Sequence, residues 1–216
     1  MSGRYLALWM GALAAVAAAG PMAGPALELR SRASAATPDA EHGRILYLKH
    51  CAACHRSHAW GDGPREIPAL AGQRQPYLIE QLALFASDQR QGSLMHGPAM
   101  HDTLQRPDLD RPQAIADLAA YLSPAPLNPE PEQGEGGALA AGGSIYIKAC
   151  SACHDSAGRG SADVPAIGGQ HYSYLLAQLR GFAAGRRDHP SFPGFAGGLS
   201  GEQQQTVADY VSRLRP

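Results

Sequence analysis

The chain is written twice, and this constrains its folding more than any other feature. Gly43-Arg-Ile-Leu-Tyr-Leu-Lys-His-Cys51-Ala-Ala-Cys54-His55 returns as Gly142-Gly-Ser-Ile-Tyr-Ile-Lys-Ala-Cys150-Ser-Ala-Cys153-His154. Pro68-Ala-Leu-Ala-Gly72-Gln73 returns as Pro165-Ala-Ile-Gly-Gly169-Gln170. Tyr77, Leu78, Gln81, Leu82, Phe85 and Arg90 recur as Tyr174, Leu175, Gln178, Leu179, Phe182 and Arg187. Leu118, Tyr121 and Leu122 recur as Val207, Tyr210 and Val211. Matches in the same order along a whole unit mean a duplicated domain. The domains are expected at residues 40–123 and 142–216. The stretch 124–141 between them carries Pro124, Pro126, Pro129 and Pro131 and then Gly134, Gly136 and Gly137, a linker extended at its Pro half and loose at its Gly half.

Each unit reads as helices. Pro76–Phe85 and Ser173–Phe182 place Leu, Gln-Leu and Phe at spacings of three and four, which is one apolar helical face. Gly43–His55 is a helical run with Ile45, Leu46 and Leu48 apolar. Gln113–Leu122 and Glu202–Leu214 close the units, with Ile115, Leu118, Leu122 and Val207, Val211, Leu214 on one side. No stretch sustains period-two alternation, so the fold class is all-α. Aromatic residues are only 6% of the chain. A domain of roughly 80 residues with so little core is marginal unless it packs around a metal or cofactor. A net charge of −1 with 17% charged residues excludes a basic nucleic-acid binder, and 25 Gly with 17 Pro excludes a coiled coil.

The N-terminus reads as an export signal over residues 1–35. Arg4 precedes an apolar run from Tyr5 to Ala19, and Ala33-Ser34-Ala35 satisfies the small-x-small cleavage rule, with Gly24-Pro25-Ala26 a weaker site. The competing reading is an uncleaved anchor over Leu6–Leu27, which Pro21 and Pro25 interrupt. Either way the folded part lies outside the cytoplasm, with membrane attachment only if the signal is retained.

Cys51-Ala-Ala-Cys54-His55 and Cys150-Ser-Ala-Cys153-His154 are both C-x-x-C-H, the attachment signature of c-type haem. On a helical turn, positions i and i+3 share a face, so two thiols can each form a thioether to one haem. The next residue then presents an imidazole to the iron. A thioredoxin-like pair would need a βαβ context, a zinc site would join two separate repeats, and plain disulfides would leave both histidines incidental. The expected cofactors are two covalently attached haems, on Cys51, Cys54, Cys150 and Cys153, with His55 and His154 on the irons.

With these motifs the sequence resembles the class I c-type cytochromes, and most closely the dihaem cytochrome c4 family. The resemblance rests on the two C-x-x-C-H motifs, the Pro-x-Leu-Ala-Gly-Gln type segment, the Tyr-Leu-x-x-Gln-Leu helix with its following Phe and Arg, and the terminal Ala-Tyr helix. It covers about residues 40–122 and 140–214. It implies a small helical fold around each haem, a periplasmic location and electron transfer. It also implies that the Pro68 and Pro165 carbonyls accept from His55 and His154, which orients each ring and makes it a better donor.

The family pattern further implies a Met on the far side of each haem, in the loop before the last helix. In unit one the position falls nearest Met100, with Met95 the alternative and His96 or His101 behind it. Unit two has no Met, since the five methionines are Met1, Met10, Met22, Met95 and Met100. The equivalent count lands on Phe192, which cannot ligate iron, and His189 stands nearby as a replacement. An open or water-bound iron is the alternative there, and His171 a weaker one. Arg90, Arg186 and Arg187 could face haem propionates or be plain surface cations. The expected function is electron carriage between redox-partner proteins, a periplasmic donor and a terminal oxidase or other acceptor. Two further readings stay open: a cytochrome subunit of a periplasmic dehydrogenase, or small-molecule redox chemistry at an open second haem. Without such chemistry the chain is not an enzyme.

Overall fold

The computed structural model describes residues 24–90, 95, 111–187 and 198–216. Among these residues there are helices and no strands. The first half holds α1 (Pro25–Ala35), α2 (Ala40–His50), α3 (Ala52–His55), α4 (Gln75–Ala86) and α5 (Arg111–Leu122). The second half repeats the order with α6 (Leu139–Ala149), α7 (Ser151–His154), α8 (Tyr172–Ala183) and α9 (Gly201–Ser212). Isolated antiparallel bridges at Asp62–Ile67 and Ser161–Val164 mark the same loop in each copy.

In each half the helix that leads into the C-x-x-C-H turn crosses the last helix closely, and glycine is the reason. Were Gly43 of α2 given a Cβ, that atom would lie 2.0 Å from the Asp117 carbonyl oxygen of α5. At Gly142 of α6 it would lie 2.4 Å from the Thr206 oxygen of α9. The backbones therefore touch where Gly recurs in the repeat. Next to each crossing a tyrosine pair packs, Tyr47–Tyr121 with ring centroids 5.5 Å apart and Tyr146–Tyr210 at 5.7 Å. A buried carboxylate ties each last helix to the start of its domain. Asp117 accepts from the Asp39 amide at 2.7 Å and contacts His42 Nδ1 at 2.7 Å, while Asp209 accepts from the Gly136 amide at 2.6 Å.

The first core gathers Leu46, Tyr47, Leu78, Ile79, Ile115, Leu118 and Leu122, and the second Tyr146, Leu175, Leu176, Val207 and Val211. The closing-helix residues read from the sequence are thus inward. Ile45, Leu48 and Ile147 are not: they stand exposed on α2 and α6.

Helix α1 occupies the end of the expected signal segment. Pro25 starts it, Ala26 and Ala33 are buried, and it packs on α4 and α5. Its Arg30 reaches Glu80 at 3.5 Å and Asp163 of the second half at 3.1 Å. Cleavage after Ala35 would remove this helix, whereas cleavage after Ala26, at the weaker site, removes only its first two residues. The stretch 124–141 is pinned along its length. Pro126 O accepts from Trp60 Nε1 at 2.8 Å, and Arg213 reaches Gln133 and Gly134. Glu132 takes Ser173 N at 2.9 Å and Ser173 Oγ at 2.5 Å onto its carboxylate, at the first turn of α8. Its last residues, from Leu139, already belong to α6. No described helix is long and apolar enough to cross a membrane.

Candidate haem sites

Each C-x-x-C-H forms a turn broken from the helix before it. Cys51 ends α2, its amide bonded to Tyr47 O at 2.8 Å, and α3 then carries Cys54 and His55. Cys150 and α7 repeat this, with Cys150 N to Tyr146 O at 2.8 Å. The residue after each His takes a left-handed backbone, Arg56 at φ 66° and Asp155 at φ 63°. A non-glycine residue is held in that region only when its surroundings fix it. The fixing group is a fully buried tyrosine hydroxyl, Tyr47 Oη donating to Arg56 O at 2.5 Å and Tyr146 Oη to Asp155 O at 2.6 Å. Both phenols are pushed well above their ordinary pKa, chiefly by burial, so the hydroxyls stay protonated donors.

Both histidines are buried, and their Nδ1–H groups donate to the proline carbonyls, His55 to Pro68 O at 3.0 Å and His154 to Pro165 O at 3.0 Å. The glycines before these loops make the approach possible. Gly61 (φ 74°) and Gly160 (φ 66°) lie where a Cβ would sit 2.3 Å from Ile67 O and 2.2 Å from Val164 O. Desolvation lowers the pKa of both imidazoles against the raising effect of the carbonyl bond, which keeps them neutral. Fixed by Nδ1, the His55 ring leaves its Nε2 as the nitrogen available to a metal, with no bond to any described residue.

The residues fit a covalent haem. The four cysteines are free thiols, Cys54 and Cys153 exposed and Cys51 and Cys150 partly so. Burial pushes the Cys51 thiol up to about 12 and the Cys150 thiol up to about 11. No cluster of three His, Cys, Asp or Glu among the described residues could itself hold a metal ion.

Arg90 and Arg187 meet between the halves. Arg90 donates to Gln81 Oε1 at 2.6 Å and to Tyr174 Oη at 3.1 Å, and stacks 4.6 Å over Phe85. Arg187 mirrors it, donating to Gln178 Oε1 at 2.5 Å and to Tyr77 Oη at 2.6 Å, 4.8 Å over Phe182. Burial works to raise the Tyr174 phenol, but the two guanidinium charges outweigh it and hold the phenol below its ordinary value. Both guanidinium groups are thus taken up by glutamine and tyrosine oxygens at the seam between the halves.

The candidate distal residues divide. Met100, His96, His101 and His189 lie outside the described residues. Met95 is partly buried and packs against Phe85 and Ala86. His171 is engaged at both ring nitrogens: Nδ1 accepts from the Glu132 amide at 3.0 Å and Nε2–H donates to Trp60 O at 2.7 Å. It therefore locks the stretch 124–141 to both halves and has no lone pair left for iron. Trp60 is a framework residue in the same lock. Sequence reasoning assigned no role to Tyr47, Tyr146, Gln73 or Gln170. The available signal was a polar residue held at the same place in both repeats.

Residues 40–125 match the cytochrome c family, and residues 137–211 match the family described as cytochrome C oxidase, cbb3-type, subunit III. With the two C-x-x-C-H turns, these matches define a dihaem class I c-type cytochrome, all-helical, with two covalently attached haems. Cytochrome c4 of Pseudomonas aeruginosa is 31% identical over 176 residues, covering 76% of this chain and 83% of that protein. The crystal structure of reduced recombinant cytochrome c4 from Pseudomonas stutzeri aligns with a TM-score of 0.69 at 26% identity, over 83% of this chain and 100% of that one. The chain belongs to the cytochrome c4 family, and it is an electron-transfer protein. A protein named thiosulfate dehydrogenase electron acceptor, from Stutzerimonas stutzeri, is 33% identical over 173 residues, covering 76% of this chain and 78% of that protein.

Proposed function

We propose that the chain relays electrons between redox-partner proteins in the periplasm through two haems of unequal potential. Cys51 and Cys54 hold the first haem and Cys150 and Cys153 the second, with His55 and His154 as axial ligands. Met100 is the sixth ligand of the first haem and His189 that of the second. The haems supply a one-electron Fe(III)/Fe(II) couple. The chain's own residues hold the imidazoles neutral and oriented and fix the two halves against each other. The observation that carries the reading is the joining of the two proximal loops. Ala69 beside Pro68 bonds Gln170 of the second half, and Ala166 beside Pro165 bonds Gln73 of the first. Such an arrangement favours a fixed short route between haems over a loose tether.

A Met/His haem favours Fe(II) more than a His/His haem, so the first haem takes the higher potential. A redox titration paired with Met100→Ala and His189→Ala tests this. Met100→Ala is expected to abolish the Met–Fe(III) charge-transfer band and lower the higher potential. His189→Ala is expected to open the second haem to carbon monoxide. Rapid carbon monoxide binding by the wild-type second haem overturns the His189 assignment and favours small-molecule chemistry there.

The relative named as a thiosulfate dehydrogenase electron acceptor supports a second reading, a fixed partnership with a dehydrogenase. A complex of the two purified proteins that survives size-exclusion chromatography at physiological ionic strength would favour it over free carriage.

A further inference from the structure

The hydrogen bond behind each proximal histidine does not end at the proline carbonyl. Pro68 O, which accepts from His55 Nδ1 at 3.0 Å, belongs to the same peptide group as the Ala69 N–H. That N–H donates at 2.9 Å to Gln170 Oε1 of the other half. Pro165 O, which accepts from His154 at 3.0 Å, shares its peptide with the Ala166 N–H, and that group donates at 2.9 Å to Gln73 Oε1 of the first half. Each glutamine also returns a bond from its Nε2, Gln170 to Ala69 O at 2.9 Å and Gln73 to Ala166 O at 2.8 Å. Each amide oxygen is further anchored by the next backbone amide of its own chain segment, Arg74 N at 2.8 Å and His171 N at 3.0 Å. Both glutamines are buried, and each follows a left-handed glycine, Gly72 at φ 71° or Gly169 at φ 68°.

We propose that Gln73 and Gln170 are positioning residues that tune the haem of the opposite domain, through the peptide that accepts the proximal histidine's Nδ1–H. This rests on the reading of His55 and His154 as axial ligands. An amide is resonance-coupled between nitrogen and oxygen, so a bond donated by its N–H concentrates negative charge on its carbonyl oxygen. Successive hydrogen bonds in a low-dielectric site strengthen one another by about 10–30% each. The more negative carbonyl pulls harder on the Nδ1 proton, the imidazole donates more charge, and Fe(III) is favoured. Gln170 therefore lowers the potential of the first haem, and Gln73 that of the second. An undirected domain contact would not be built this way, because a side-chain amide matched at both N–H and C=O of one residue fixes the two peptide groups that flank it, the first of which carries the proline carbonyl.

The test is a redox titration of the full-length holoprotein. Gln170→Leu, which keeps bulk and removes both bonds, is expected to raise the first haem's potential. The Fe(III)/Fe(II) ratio at a fixed ambient potential should fall about twofold to threefold, where tenfold corresponds to 59 mV for one electron. The second haem should move less. Gln73→Leu should produce the crossed result. Gln170→Glu keeps the acceptor for the Ala69 N–H with more charge and should shift the first haem the opposite way, which supplies a readout if the Leu variant fails to fold. Shifts of the same size in both haems for every variant, or a larger shift in the glutamine's own domain, overturn the proposal. So do unmoved potentials in a protein whose first-haem spectrum changes in His55→Ala. If His55→Ala leaves that spectrum unchanged, it is the axial-ligand reading itself that fails.

Discussion

The crossing of α2 over α5 is the most exacting contact in the first half, and Gly43→Ala measures it. The added methyl would sit 2.0 Å from Asp117 O, 2.4 Å from Asp117 C and 3.0 Å from Leu118 N. All three are backbone atoms, so no side chain can rotate away, and the helices must separate by more than 1 Å to restore ordinary contact near 3.5 Å. Alanine gains about 1 kcal/mol over glycine in a helix interior. Overpacking of a filled site costs about 1–3 kcal/mol and occasionally more, and a clash with rigid backbone belongs at the upper end. The expected net loss is about 1–2 kcal/mol, or a fall of roughly 4–16 °C in the first domain's midpoint. Separation at this point also loosens the base of the Cys51–His55 turn, which α2 leads into directly. Thermal denaturation followed by far-ultraviolet circular dichroism and by haem absorbance is the assay. Gly142→Ala should behave alike in the second half, its methyl 2.4 Å from Thr206 O and 2.8 Å from Tyr210 Cβ. Gly137→Ala is the control, since a Cβ there meets nothing within 4 Å. If Gly43→Ala melts with or above the Gly137 control, the close-crossing argument is wrong.

Two further outcomes are expected. Glu132→Ala should destabilise the second half by about 1–2 kcal/mol, because its carboxylate satisfies the first turn of α8 as an N-cap side chain does. Glu132→Gln, which keeps an acceptor, should lose less, and equal thermal midpoints for both variants would contradict the capping role. Because α1 packs on α4 and α5 and reaches Asp163, N-terminal sequencing of the mature protein is expected to find processing at the Gly24-Pro25-Ala26 site rather than after Ala35. A mature chain starting at Ala36 with unchanged stability would show that α1 is dispensable.

The helical class and the two C-x-x-C-H turns were legible because each is local, a motif or a periodicity within some fifteen residues, and the duplication because such local motifs return in the same order. Both proline carbonyls stand where the family resemblance put them. What was not legible joins residues far apart. Gln73 meets Ala166 and His171 meets Trp60, and no helical period reports a bond from one repeat to the other. The stretch 124–141 misled for a related reason: Pro and Gly describe backbone freedom in isolation, whereas Glu132 and Gly136 are fixed by partners in α8 and α9. Ile45 and Leu48, apolar in the helical run Gly43–His55, stand exposed, as does Ile147 in the second copy. Apolar pattern assigns a face to a helix only when one neighbour covers it, and α2 already gives its Gly43 face to α5. The informative comparison was therefore between the repeats. Apolar positions drift from Leu46 to Ile145 and from Leu118 to Val207, because packing tolerates exchange of similar volumes. Gln73, Tyr47 and Arg90 persist as Gln170, Tyr146 and Arg187 because each donates or accepts along a fixed direction. A polar side chain kept through a duplication while its apolar neighbours change is thus a mark of a directed bond, and here those bonds hold the two histidine loops and the seam between them.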